Sequence, residues 1–168
     1  MQVLKEIQDG PMPDNKNLEL KETSRAVLFD DKNLVPLLFV SKYNYHKLPG
    51  GGIEKGEDSL SAINREAMEE LGAKIKITGE VGQIIEYKSK LNLKQISYCY
   101  FGKVISKGQP SFTEEEINHG FQIVWLPIDE AIAKIMSDQP QEYNGHFIQQ
   151  RDLIFLQKAK DLIKQNAA

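Results

Sequence analysis

Hydrophobic and polar positions fall into short blocks along this chain, and the period of the pattern changes several times. Residues 1–9 suit a short strand, and Asp9-Gly10-Pro11-Met12-Pro13-Asp14-Asn15 is a turn-rich break. The stretches 18–29 and 34–41 read as strands at hairpin distance, joined by the polar turn Asp30-Asp31-Lys32-Asn33. Residues 42–57 carry Pro49 with Gly50, Gly51, Gly52 and Gly56, a density that predicts a shaped loop without regular structure. The pattern then turns helical. Asp58 is the expected N-cap of a helix over about 59–71, and Gly72 stands where a terminating glycine belongs. Residues 73–107 read as two or three strands, clearest at 84–87 and 96–104. A polar loop over 107–118 precedes a strand at 121–126. Pro127 then opens a short helix through Met136, and a loop over 139–146 leads to a helix over about 147–165. Strands, helix, strands, helix, helix is the order of an α+β chain, an α/β/α sandwich with a mixed, largely antiparallel sheet.

Composition acts mainly by exclusion. The chain has 168 residues and a mass of 19.1 kDa, which predicts one domain over 1–168. With 40% apolar and 27% charged residues it is neither collagen-like nor disordered. Apolar runs such as 35–40 fall short of the roughly 20 residues of a membrane helix. The first residues show no apolar core of signal-peptide length. A single cysteine, Cys99, forms no internal disulfide, and its place between Tyr98 and Tyr100 reads as packing. The net charge of −3 gives no global pull on nucleic acid or on an anionic membrane. The expectation is a cytoplasmic protein acting on a small molecule, with a homodimer left open.

The chemistry concentrates in Leu48-Pro49-Gly50-Gly51-Gly52-Ile53-Glu54-Lys55-Gly56-Glu57 and the helix after it. With Leu60 at zero on a helical wheel, Leu60, Ile63, Ala67 and Leu71 fall between about 300° and 20°, while Glu69, Glu66 and Glu70 fall at about 180°, 240° and 280°. Three carboxylates therefore share one arc, and Glu70 borders the apolar stripe. Like charges one turn apart repel mildly. A hard divalent cation reverses that sign, because Mg²⁺ and Mn²⁺ take oxygen ligands. Glycines just upstream let a backbone carbonyl approach the same ion. Taken alone, an acidic helix face is ordinarily just solvated, and three glycines are ordinarily a turn.

Together the pieces are more specific. Gly51, five residues, Glu57, seven residues, then Arg65-Glu66-Ala67-Met68-Glu69-Glu70-Leu71-Gly72-Ala73 resembles the signature of the Nudix (MutT-like) hydrolases, G-x5-E-x7-R-E-U-x-E-E-x-G-U, where U is bulky and apolar. All seven fixed letters agree. At roughly one in 15 per residue, chance gives about 10⁻⁸ per start position. Ala67 and Ala73 depart from the pattern where a larger residue is usual, with Ile75 a candidate to take up the packing. The segments Trp125-Leu126-Pro127 and Arg151-Asp152-Leu153-Ile154-Phe155-Leu156 also resemble the family.

The resemblance implies hydrolysis of a pyrophosphate linkage in a nucleoside diphosphate joined to another group, with Mg²⁺ or Mn²⁺ and a water nucleophile. It implies metal ligation by Glu66, Glu69, Glu70 and the Gly50 carbonyl. Glu57 and Arg65 match the pair that holds loop and helix in register. The general base is a motif glutamate such as Glu69, or a loop glutamate, for which Glu115 and Glu116 are candidates and His119 a competitor. Tyr45, with Tyr43 and His46, is a candidate to stack on a base, or merely covers the sheet edge. Arg25 is a further substrate-binding candidate. The marks of NADH-type and coenzyme A-type members are absent, and Lys88 and Ser89 stand where ADP-sugar members often carry proline. A nucleoside triphosphate is left as the favoured substrate. A catalytically silent nucleotide-binding domain would predict a broken acid set, and a metal-dependent isoprenoid diphosphate isomerase would need a cysteine in a loop.

Overall fold

The computed structural model describes residues 1–11 and 17–167. Part of the turn-rich break at 9–15 lies outside them. The described strands are β1 (Val3–Gln8), β2 (Glu19–Phe29), β3 (Leu34–Val40), β4 (Tyr45–Lys47), β5 (Gly50–Gly52), β6 (Ala73–Lys88), β7 (Leu93–Lys107) and β8 (Phe121–Pro127). The helices are α1 (Ser59–Leu71), α2 (Glu114–Asn118), α3 (Ile128–Ser137) and α4 (Tyr143–Ala167).

Five strands form one sheet in the order β1-β6-β7-β2-β5, and three form another in the order β4-β3-β8. In the larger sheet β1 runs parallel to β6 and β2 to β7, whereas β6–β7 and β2–β5 are antiparallel. The smaller sheet is antiparallel throughout. Pro36 sits in the middle of β3, yet β4 pairs only with Leu38–Val40 and leaves the proline unpaired on that side.

Strand alternation sends successive side chains to opposite faces, and each face has its own core. Val27, Ile84 and Cys99 pack with Ala131, Ile135, Phe155, Leu156 and Ala159 of α3 and α4. Ala26, Leu28 and Tyr100 pack with Ile63 and Leu71 of α1. The result is the expected α/β/α arrangement. Ala67 and Ala73 are fully buried, and Ile75 is partly buried against the cluster that holds Ala73, Ile63 and Leu71. Helix α1 starts and stops as its sequence predicts. The Asp58 carboxylate accepts from the Ser61 N–H, and Gly72 ends the helix in the left-handed region.

Four expectations are corrected. Strands β2 and β3 do not form a hairpin. The Asp30 carboxylate accepts from the N–H groups of Lys32 and Leu34, which closes the turn, and the strands then enter different sheets. Residues 42–57 hold regular structure, because the three glycines of β5 pair with Thr23, Ser24 and Arg25 of β2. The loop at 107–118 contains α2, capped at Thr113. Helix α4 begins at Tyr143, four residues before the apolar pattern becomes clear.

Candidate active site

The segment Lys47-Leu48-Pro49-Gly50 carries the chain from the small sheet into the large one. Leu48 is fully buried, and its N–H donates to the Asp152 carboxylate at 2.8 Å, which pins the crossing to α4. Gly50 follows with φ of 131°, and a Cβ there would lie 2.0 Å from the Ser24 carbonyl oxygen, so only glycine fits the β2–β5 pairing. A Cβ on Gly51 would lie 2.2 Å from Glu66 Oε1. The absent side chain at Gly51 is thus the space that the Glu66 carboxylate occupies.

Arg65 organises the acids. Its guanidinium donates twice to Glu57, at 3.0 and 2.9 Å, and also to the Gly52 carbonyl at 2.9 Å, Glu66 at 2.9 Å and Glu69 at 3.1 Å. A planar fork satisfies five oxygens from loop and helix at once. The carboxylates around it hold the Arg65 guanidinium well above its ordinary pKa, and the Glu57 carboxyl is correspondingly lowered by its hydrogen bonds to Arg65.

Glu70 is 1% exposed. It accepts from the Gly50 N–H at 2.7 Å and from Lys47 Nζ at 2.8 Å. Burial pushes its carboxyl up, against the opposing pull of Lys47. Lys47 Nζ also lies 3.4 Å from the Gly50 carbonyl oxygen. One cation therefore rests between the Glu70 carboxylate and the Gly50 carbonyl, two oxygens that the motif assigns to a metal. Among the described residues no three acidic, His or Cys side chains already converge as a closed ligand set. The donors nonetheless fit a hard divalent ion. All are oxygens, Glu66 and Glu70 are held under the Gly50-Gly51 backbone, and Lys47 marks a position that a cation fills.

A cleft of about 530 Å³ opens beside this corner, with Gly50, Gly51 and Gly52 on its wall. Tyr45, Lys47, Glu115, His119 and Arg25 line it as well. His46 does not. Alternation along β4 turns it to the other side, where it stacks on Phe39 and binds Asp138 through its own N–H and Nδ1. Glu115 and Glu116 also part company. Glu116 accepts from the Thr113 N–H at 2.7 Å while its own N–H donates to Thr113 Oγ1, a capping box that commits it to α2. The loop before α2 is tied to α1 through Ser111 N–H to the Glu69 carbonyl, and this presents Glu115 to the cleft. Glu69 remains on the outer side, half-exposed and bound to Arg65.

Sequence reading missed the far wall. Arg151 of α4 is 1% exposed and pairs with Asp152 at 2.7 Å and with Glu86 at 3.5 Å. Lys88 Nζ donates to Gln95 and Asn144, and burial lowers its pKa to about 8. A signal was present in the strands. Positions Lys21, Thr23 and Arg25 on β2, Gln95 and Ser97 on β7, and Glu86 and Lys88 on β6 share the face that continues as Val27, Cys99 and Ile84. A sheet face that turns from apolar to polar halfway along its strands marks the floor of a binding cleft.

Residues 20–147 match the family model described as the NUDIX domain. An RNA pyrophosphohydrolase of Pelagibacter ubique (strain HTCC1062) is 36% identical over 86 residues, covering 49% of this chain and 54% of that protein. Diphosphoinositol polyphosphate phosphohydrolase 2 of Rattus norvegicus is 26% identical over 123 residues, covering 71% of this chain and 65% of that one. The chain thus spans between half and two thirds of the length of these relatives. Among solved structures, a NUDIX hydrolase from Nitrosomonas europaea superimposes with a TM-score of 0.62 at 18% identity, over 85% of this chain and 90% of that one. A MutT protein from Methanosarcina mazei Go1 gives 0.58 at 16% identity, over 90% and 98%. The glycine lip, the arginine fork and the acids beneath it belong to the matched segment, and the chain is a member of the NUDIX family.

Proposed function

We propose that this chain is a pyrophosphohydrolase that splits a phosphoanhydride within a nucleoside diphosphate joined to another group, with a nucleoside triphosphate foremost. The observation that carries the reading is the placement of Glu66 and Glu70 under the Gly50-Gly51 wall of a cleft, with one cation already seated between Glu70 and the Gly50 carbonyl. The names of the relatives support the reaction class. One is called an RNA pyrophosphohydrolase and the other a diphosphoinositol polyphosphate phosphohydrolase. Every acid of the motif is intact, which disfavours a silent binding domain.

Glu66, Glu69, Glu70 and the Gly50 carbonyl are the residues that would hold Mg²⁺ or Mn²⁺, and such an ion neutralises diphosphate charge and lowers the pKa of a bound water. Arg65 and Glu57 keep the wall and the helix in register, so the carboxylates do not have to reorganise during the reaction. Lys47 already lines the cleft, and with a metal ion on those oxygens it would supply a positive charge to the substrate phosphates. Glu115 is the base. It lines the cleft, whereas Glu116 is held in its cap and Glu69 by Arg65. Its carboxylate takes the proton of the attacking water as the new P–O bond forms and the bond to the bridging oxygen breaks.

A panel of nucleoside triphosphates, nucleoside diphosphate derivatives, a 5′-triphosphorylated oligoribonucleotide and a diphosphorylated inositol phosphate, each with and without Mg²⁺ or Mn²⁺, tests the reading. Metal-dependent release of phosphate, pyrophosphate or a nucleotide from at least one member is expected. No release from any of them with either metal would overturn it.

A further inference from the structure

Leu48 and Pro49 link β4 to β5 and belong to neither sheet. Pro49 has no N–H, so only two backbone donors lie between Lys47 and the Gly50 carbonyl. The Gly50 N–H donates to Glu70 of α1 at 2.7 Å, and the Leu48 N–H donates to Asp152 of α4 at 2.8 Å. The Pro49 carbonyl accepts a longer bond, 3.3 Å, from the Ala26 N–H of β2. Asp152 is fully buried, and burying a carboxylate is costly unless its oxygens are engaged. One oxygen accepts from Arg151 Nε at 2.7 Å, and Arg151 in turn reaches Glu86 at 3.5 Å. The other oxygen serves a single backbone N–H, 104 residues away in the chain. A carboxylate on a backbone N–H makes one of the stronger hydrogen bonds. Phe155, Leu156 and Ala159 of the same helix are fully buried in the core, so Asp152 is held on a rigid base. Among the described residues that line the cleft Arg151 is present and Asp152 is not, which leaves Asp152 no contact with a substrate.

We infer that Asp152 is a positioning residue of the metal corner, which from α4 sets the place of both Lys47 and the Gly50 carbonyl. This rests on the metal reading of the site and adds to it a residue outside the motif. The bond from Asp152 fixes the peptide between Lys47 and Leu48. On one side of that peptide stands Lys47, whose Nζ lies 2.8 Å from Glu70 and 3.4 Å from the Gly50 carbonyl oxygen. On the other side, planar peptides and the fixed φ of Pro49 carry its position on to Gly50. Without Asp152 the buried Leu48 N–H has no acceptor, and the crossing relaxes to find one. The Gly50 carbonyl then moves relative to Glu66 and Glu70, and the oxygens no longer suit one ion. Hydrogen bonds that orient metal ligands from outside typically change metal affinity by about 10–100-fold.

Titration of the protein with Mn²⁺ alone, followed by the electron paramagnetic resonance of the free ion, tests the inference without turnover. Wild type is expected to bind Mn²⁺, and Glu70→Gln to bind it at least about tenfold more weakly, which marks the site. Asp152→Ala is expected to weaken binding by about tenfold although it removes no ligand. Asp152→Asn keeps the volume and one oxygen, and is expected to fall between wild type and Asp152→Ala. It decides the matter if Asp152→Ala does not fold, and circular dichroism monitors folding of each variant. Ile7→Ala is the control for lost stability. Ile7 is buried on β1, the edge strand farthest from β5 in the sheet order, so its truncation loosens the core and leaves Mn²⁺ affinity within about twofold of wild type. Affinity within about twofold of wild type in every folded Asp152 variant, or an equal weakening in Ile7→Ala, overturns the inference and leaves the metal reading standing. A wild type that binds no Mn²⁺, or binds it no better than Glu70→Gln does, overturns the metal reading and the inference with it.

Discussion

Glu70 is the residue whose change separates charge from shape most cleanly. Its carboxylate is buried between the Gly50 N–H and Lys47. Glu70→Gln keeps the volume and an oxygen for the Gly50 N–H but removes the charge, so turnover is expected to fall roughly a hundredfold or more while the fold persists. Near-native turnover at saturating Mg²⁺ would remove Glu70 from the metal site. Gly51→Ala makes the complementary test. The new methyl meets the end of the Glu66 side chain and no backbone atom among its nearest neighbours, so it displaces the carboxylate at little cost to folding. A loss of activity with a nearly unchanged melting temperature is predicted, and unaltered activity would show that the Glu66 position does not matter. Glu115→Gln is expected to cost about 10–100-fold in turnover, within or below the usual range for a general base. A larger loss from Glu116→Gln than from Glu115→Gln would reverse the assignment. Lys88 carries a linkage prediction. Burial holds its pKa near 8, below the 10.5 of a free lysine, with Glu86 opposing and Arg151, Lys21 and Arg25 adding to the depression. Between those values the unfolded chain binds more protons, so stability supplied by this group rises with pH. Denaturant titrations of wild type and Lys88→Met from pH 8 to 10 are expected to diverge in favour of wild type. A constant difference would contradict the depressed pKa.

At the scale of elements, α1 and the glycine segment work as one piece because Arg65 bonds to both. Arg65→Ala unties Glu57, Gly52, Glu66 and Glu69 together, and is expected to lower stability by roughly 1–2 kcal/mol along with activity. An unchanged melting temperature would show the fork to be a surface ornament. The piece was legible in the sequence because its determinants are local. Asp58, the apolar stripe and Gly72 define α1, and the fixed spacing of the motif defines its chemistry. Strands β4 and β5 were not legible. Three-residue strands show no period of their own, and a run of glycines becomes a strand only because Thr23, Ser24 and Arg25 pair with it. The separation of β2 from β3 was hidden for a related reason, since a tight polar turn is common to a hairpin and to a crossing between sheets. His46 and Tyr45 differ by one position, and which of them faces the cleft follows from the register of β4, which the sequence leaves unspecified.

Across the whole molecule, the two sheets and the two helical layers create a cleft whose walls come from distant parts of the chain. The glycine wall arrives from β5, the floor from β2, β6 and β7, one side from α2 and the other from α4. Arg25 was visible as a candidate, but Arg151 and Lys88 lie far from the motif, and only the fold places them opposite it. The central claim, that water attacks phosphorus in an anhydride, is tested most directly by hydrolysis of a turned-over substrate in ¹⁸O-labelled water with Mg²⁺. The account predicts one labelled oxygen on a phosphate group of a product, with loss of both label uptake and turnover in Glu70→Gln. Label on a carbon-bound oxygen, with every product phosphate unlabelled, would contradict it.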